Sequence, residues 1–239
     1  MTTTPQVALV TGATSGIGKA TAIALAAAGF QVIGTGRNTA QLVPPAGVIY
    51  LDLDVTSDES VASAVNQVID RFGHVDVLVN NAGVGTTGAA EEFSITQTQD
   101  IFDINVFGVM RTTKAVLPHM RAQGRGRIIN VSSLSGFVPS PFMALYVSTK
   151  HAVEGYSQSL DHEVRHCGVR VLLARPDQHS VRRSQRGGRH PHAALRGGTA
   201  QLRRSAGEEP QQWRRPCGRR HGDRRGGHRP EPETTAHRR

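Results

Sequence analysis

Short β-branched runs alternate along this chain with longer stretches of helical periodicity. Val7 to Val10, Val32 to Thr35, Val48 to Leu53, Val77 to Asn80, Arg127 to Val131 and Val169 to Leu173 are apolar enough to be strands buried on both faces. Between them, Gly16 to Ala28, Glu59 to Phe72, Thr98 to Arg121 and Tyr146 to His166 carry the spacing of helices. The third has apolar Ile101, Phe102, Ile104, Val106, Phe107, Val109 and Met110 on more than one face, which predicts a helix enclosed between sheet and neighbour, with Pro118 near its end. Strand and helix in alternation imply βαβ units. The predicted fold is therefore α/β, a doubly wound parallel sheet of the Rossmann kind in a single domain, with ligands beyond the carboxyl ends of the strands.

Composition changes this picture only at the far end. Residues 1 to 174 hold 11 Lys+Arg against 13 Asp+Glu, a net −2, whereas 175 to 239 hold 17 Arg and no Lys against 6 acidic residues, a net +11. The overall +9 is thus a property of the tail. From Arg175 onward there is no Phe, Tyr, Met, Ile, Asn or Lys, and the larger apolar residues reduce to Val181, Leu195, Leu202, Trp213 and Cys217. Such a segment cannot bury enough apolar surface to offset its ordering entropy, so the sequence predicts a disordered basic tail over 175–239, behind a dinucleotide-binding domain over 1–174.

Cys167 and Cys217 are too few for a disulfide framework, and are read as free thiols of a cytoplasmic protein. Neither a basic leader before an apolar stretch nor a membrane-spanning run of about 18 apolar residues is visible. His119, His151, His162 and His166 lack the carboxylate partners and spacing of a metal cage, so no metal is expected.

Thr11-Gly12-Ala13-Thr14-Ser15-Gly16-Ile17-Gly18 follows the first strand and opens the first helix. Glycines there make a tight turn and let a pyrophosphate approach backbone N–H groups at a helix N-terminus, where the helix dipole favours an anion. After the second strand, where an acidic residue would bond the ribose 2′-OH of NAD, stand Gly36, Arg37 and Asn38. A guanidinium pairs with phosphate, so this end is expected to take NADP(H).

The Gly-x-x-x-Gly-x-Gly spacing resembles that of the short-chain dehydrogenase/reductase family, and over residues 5–174 further features arrive in that family's order. Asp54-Val55 matches its adenine-contacting position, Asn80-Asn81-Ala82-Gly83 its Asn-Asn-Ala-Gly motif, and Asn105 the Asn of its long helix. Tyr146-x-x-x-Lys150 puts two side chains on one helical face, and Ser133 precedes the tyrosine by 13 residues, as the resembled family has it. The resemblance implies a catalytic group of Ser133, Tyr146 and Lys150, with Asn105 anchoring a water in the proton relay. It implies cofactor contacts from Gly12, Thr14, Ser15, Gly16, Ile17, Gly18, Arg37, Asn38, Asp54, Val55, Asn81, Ala82, Gly83, Tyr146 and Lys150.

Hydride transfer to a carbonyl leaves negative charge on oxygen and so needs a proton donor. A free phenol titrates near ~10, and a neighbouring ammonium favours its ionised form. The expected activity is interconversion of a carbonyl and a secondary alcohol. Phe137, Val138, Phe142 and Met143, with Val84 to Gly88 opposite, predict an apolar substrate wall. The family resemblance also predicts a homo-oligomer, dimer or tetramer, built on the two long helices.

Two other classes stay open. One is nucleic-acid binding through the tail, which the lack of aromatic interleaving or a recognition helix argues against. The other is a cofactor-binding protein with impaired catalysis. The family pattern vanishes after Arg175-Pro176-Asp177. The six residue types missing from the tail are those with the most A- and T-rich codons, as in an out-of-frame reading of GC-rich DNA. A frameshift there is expected to remove a seventh strand and the substrate-covering segment, leaving the sixth strand with an open edge.

Overall fold

The computed structural model describes residues 4–175. Six strands form one parallel sheet: β1 (Val7–Val10), β2 (Gln31–Gly36), β3 (Val48–Asp52), β4 (Val77–Asn80), β5 (Gly126–Val131) and β6 (Val169–Ala174). Their order is β3-β2-β1-β4-β5-β6, which makes β1/β4 the switch point of a Rossmann-like fold. All six predicted strands form, within one or two residues of the predicted ends. In β1 and β4 every residue is buried, so these read as continuous apolar runs rather than as alternating ones.

The helices are α1 (Gly16–Ala27), α2 (Asp58–Phe72), α3 (Ile95–Phe102), α4 (Gly108–Gln123) and α5 (Ala144–Val164). One face of the sheet, carrying Leu9, Ile33, Leu78 and Ile128, packs on Val65 and Val68 of α2, Val116 and Met120 of α4 and Leu160 of α5. The other face, carrying Ala8, Val10, Val32 and Val79, receives α1 through Ala22, Leu25 and Ala26. Further along that face Ile129 and Val131 are only half-buried. Among the described residues β6 pairs with β5 alone; the expected loss of a seventh strand falls on residues outside them.

Local chemistry sets the ends. Ser57 Oγ caps α2 by accepting from Ser60 N at 3.1 Å, Asp58 and Glu59 occupy its first turn, Arg71 its last, and Gly73 closes it at φ +77°. Ser94 and Gln97 form a reciprocal capping box that starts α3 three residues before the predicted Thr98.

The single long helix expected over Thr98 to Arg121 is in fact α3 and α4 joined by a π-helical turn, Asp103–Phe107. Arg111 brackets this turn, binding Asp103 Oδ1 at 2.7 Å, Asp58 Oδ1 at 2.9 Å and the Val55 carbonyl at 3.2 Å. Apolar periodicity cannot reveal one wide turn in a continuing helix, because the stripe resumes on the far side. The reading of Cys167 as a free thiol is corrected: among the described residues no cysteine is free. The thiol argument for a reducing compartment therefore lapses. The predictions of a disordered basic tail over 175–239 and of a frameshift lie, Arg175 apart, outside the described residues.

Candidate active site

All the predicted motifs lie at the carboxyl edge of the sheet. β1 leads into the turn Thr11–Ser15, with Gly12 at φ +64° and Gly16 at φ +53°, conformations that glycine adopts without strain. Ser15 is the N-cap of α1 but makes no side-chain cap, and the first turn has no acidic residue. The helix thus begins with backbone N–H groups that Ser15 leaves uncapped, and Ser15, Gly16 and Ile17 are exposed there. A pyrophosphate fits that chemistry.

Gly18 allows the closest approach. A Cβ at this position would come within 2.3 Å of both Asn81 Nδ2 and the Gly12 carbonyl. Asn81 uses the space to donate to the Thr11 and Gly12 carbonyls at 2.9 and 3.1 Å, while Thr11 Oγ1 accepts from Asn81 N and Ala82 N, each at 3.0 Å. These bonds tie the glycine turn to the loop after β4. Thr14 reaches across to the end of β2, where a Cβ on Gly36 would meet Thr14 Cγ2 at 2.6 Å.

Arg37 and Asn38 are exposed beyond β2. Thr39, which follows them, is buried, and its N–H and hydroxyl both donate to Asp52 Oδ1, at 2.7 and 2.6 Å. After β3, Asp54 Oδ1 accepts from Thr56 N at 2.9 Å and from its hydroxyl at 2.8 Å. The Thr56 N–H foremost, with Arg37 and Arg111 at longer range, holds the Asp54 carboxyl below its ordinary pKa against the opposing effect of burial. Val55 is buried under Gly108.

On the other side of the cleft, β5 is followed by Ser132 and Ser133. Ser133 caps a 3₁₀ turn, Leu134–Gly136, its hydroxyl accepting from Ser135 N at 3.2 Å. Tyr146 lies in the first turn of α5, half-buried. One turn on, Lys150 Nζ stands 5.7 Å from the Tyr146 ring centroid and donates to the Val131 carbonyl at 2.9 Å. Burial lowers the pKa of Lys150, and the negative charge of Glu154 opposes that shift.

Asn105 sits in the π turn, 1% exposed. Its Oδ1 accepts from Val84 N at 2.8 Å, and its Nδ2 donates to the Val84 carbonyl at 2.8 Å and to Thr149 Oγ1 at 3.2 Å. Both ends of the amide therefore clamp the loop after Gly83 against α5.

The short chain dehydrogenase family matches residues 6–185, three quarters of the chain. The chain belongs to the short-chain dehydrogenases. The match runs eleven residues past the point where the sequence motifs end. This short-chain dehydrogenase is 44% identical to a 3-ketodihydrosphingosine reductase of Bacteroides thetaiotaomicron, over 72% of this chain and 63% of that protein. It superposes on a short-chain dehydrogenase from Streptomyces avermitilis with TM-score 0.70 and 42% identity, covering 73% of this chain and 66% of that one. A metagenomic short-chain oxidoreductase in complex with NADP gives TM-score 0.68 and 34% identity, covering 72% and 82%. The chain thus spans slightly less than two thirds of the first two proteins.

Sequence reasoning missed several supporting residues of this dehydrogenase. Asn80 Nδ2 donates to Thr113 Oγ1 at 3.1 Å and to Asn130 Oδ1 at 2.9 Å, Thr112 Oγ1 donates to Asn80 Oδ1 at 2.6 Å, and Asn130 Nδ2 donates to Ser157 Oγ at 2.8 Å. This buried network joins β4, β5, α4 and α5 beneath the cleft. Polar residues closing two neighbouring apolar strands, Asn80 and Asn130, were the available signal. Among the described residues no group of His, Cys, Asp or Glu is arranged to hold a metal. No described helix is long and apolar enough to cross a membrane.

Proposed function

We propose that this short-chain dehydrogenase is an NADP(H)-dependent oxidoreductase that interconverts a carbonyl and a secondary alcohol by hydride transfer. The observation that carries the reading is the pairing of Tyr146 with a half-buried Lys150 on α5, across the sheet edge from a glycine turn whose helix N-terminus is uncapped. The nicotinamide, when bound, supplies or accepts the hydride. Gly12, Thr14, Ser15, Gly16, Ile17 and Gly18 would hold its pyrophosphate, Asp54 and Val55 the adenine, and Asn81, Ala82 and Gly83 the neighbouring ribose side.

Arg37 and Asn38, exposed where an acid would otherwise repel a 2′-phosphate, support NADP over NAD. The NADP in the metagenomic relative supports the same choice. Lys150 orients the cofactor ribose and holds its ammonium beside the Tyr146 ring. Tyr146 gives its proton to the developing alkoxide in reduction, and takes it back in oxidation. Ser133 donates a hydrogen bond to the same oxygen. Asn105, by clamping Val84, steadies the loop facing the substrate, and would anchor a water in the proton relay.

Phe137, Val138 and Phe142 are exposed around this cleft, which supports an apolar small-molecule substrate. The Bacteroides relative, by its name a reductase of 3-ketodihydrosphingosine, points the same way. The division into 1–174 and a tail over 175–239, a frameshift behind that tail, a cytoplasmic location and a homo-oligomer belong to the same proposal. Resequencing the gene across codons 174 to 178 decides the frameshift. The function is tested by NADPH oxidation over a panel of apolar ketones and aldehydes, with Tyr146→Phe as control. Turnover should fall by about 10²–10⁴-fold in the variant while NADPH still binds. Turnover near the parent rate would refute the assignment of Tyr146.

A further inference from the structure

The helical spacing that aligns Tyr146 with Lys150 carries the same face of α5 one turn further, to Glu154. Glu154 is 6% exposed, so its charge needs a partner. Arg175, the first residue past β6, provides one: its Nε donates to Glu154 Oε1 at 2.8 Å and its Nη2 donates to Oε2, a bidentate pair. The Glu154 side chain also lies against the turn that Ser133 caps. A Cβ on Gly136 would meet Glu154 Cγ at 2.9 Å and Oε1 at 3.1 Å. Ser132 Oγ, 2.7 Å from the same point, is buried and makes no hydrogen bond, so it does not tether the turn. The Arg175 guanidinium reaches on to Phe137, 5.7 Å from its ring centroid.

We infer that Glu154, held by Arg175, is a positioning residue for the reaction, facing Lys150 along α5 and seating the Ser133 turn through Gly136. The inference rests on the roles given above to Lys150 and Ser133. The groups around Lys150 are few among the described residues. Tyr146 and Glu154 share its helix, Arg175 acts from the end of β6 through Glu154, and β5 offers the Val131 carbonyl. The Ser133 turn carries no charged side chain, and the one charged residue of the π turn, Asp103, is paired with Arg111. Glu154 favours the ammonium of Lys150, and Arg175 offsets part of that field. Removing either partner should therefore move the lysine in opposite directions, whereas a merely structural role would move both variants alike or neither.

The test uses the full chain labelled with ¹³C-lysine, because Lys19, Lys114 and Lys150 are its only lysines and can be assigned by Lys19→Arg and Lys114→Arg. The Lys150 Cε signal is followed against pH. Glu154→Gln should lower its midpoint by about one pH unit, and Arg175→Met, at a partly exposed side chain, should raise it. Glu154→Asp, which keeps the charge, should restore most of the shift. Midpoints within about 0.2 units of the parent in both variants, or displaced in the same direction, would overturn the inference. The readout does not need turnover. A parent chain that reduces no carbonyl while its variants split as described would sink the oxidoreductase reading and leave the coupling of this pair to Lys150 standing.

Discussion

Alanine at Gly18 and alanine at Gly155 should change stability with opposite signs, although both glycines are helical. At Gly18 the new Cβ would lie 2.3 Å from Asn81 Nδ2 and 2.3 Å from the Gly12 carbonyl oxygen, far inside any tolerated contact. The oxygen belongs to a backbone held in a tight turn, so the turn and Asn81 must both shift. Overpacking costs ~1–3 kcal/mol, and loosening the two Asn81 bonds to Thr11 and Gly12 adds ~0.5–1.5 kcal/mol each. Better helix propensity returns ~1 kcal/mol. The net loss is about 3 kcal/mol, or about 6–12 °C in Tm for a domain of this size. At Gly155, on the exposed side of α5, nothing lies within 4 Å of the added Cβ, and only the propensity gain of ~1 kcal/mol remains. Urea and thermal unfolding followed by circular dichroism measure both changes, and NADPH fluorescence follows the turn. Gly18→Ala should weaken NADPH binding at least ~10-fold, since the backbone that approaches the pyrophosphate is displaced. A Gly18→Ala protein within ~0.5 kcal/mol of the parent, or a destabilised Gly155→Ala, would refute the packing argument.

Arg37→Ala should weaken NADPH binding by about 10-fold or more and leave NADH binding nearly unchanged, since only the former loses a charge-assisted phosphate contact; equal losses for the two cofactors in a titration would contradict this. Asn130→Ala leaves Asn80 Nδ2 with Thr113 as its one acceptor and removes the donor to Ser157 beneath the cleft, so equilibrium unfolding should show a loss of about 2–3 kcal/mol. The Asp54 carboxyl titrates lower folded than unfolded, because of the Thr56 N–H first. Its contribution to stability is thus present above about pH 4 and disappears as pH falls through the folded value. The difference in urea midpoint between the parent and Asp54→Asn should accordingly be largest near neutral pH and fade on acidification, and a difference independent of pH would exclude the carboxylate as its source.

The fold was legible because each strand of a parallel sheet is an apolar run and each connection a helix of ordinary period. β1 and β4 could be read residue for residue, and the glycine turn, Asn81-Ala82-Gly83, Ser133, Tyr146 and Lys150 stand at fixed distances from strand ends. Those local relations survive folding because strand direction and helix pitch are properties of the chain itself. What only the tertiary structure decided are the contacts between distant segments. Asn105 belongs to Val84 rather than to open cleft, Arg111 props a π turn that no periodicity announces, and Asn80 and Asn130 meet only because β4 and β5 are neighbours. Glu154 looks like any helical glutamate until β6 delivers Arg175 to it. A side chain's type and spacing say what chemistry it can do; the partners that restrain it come from residues tens of positions away, and packing alone determines which ones arrive.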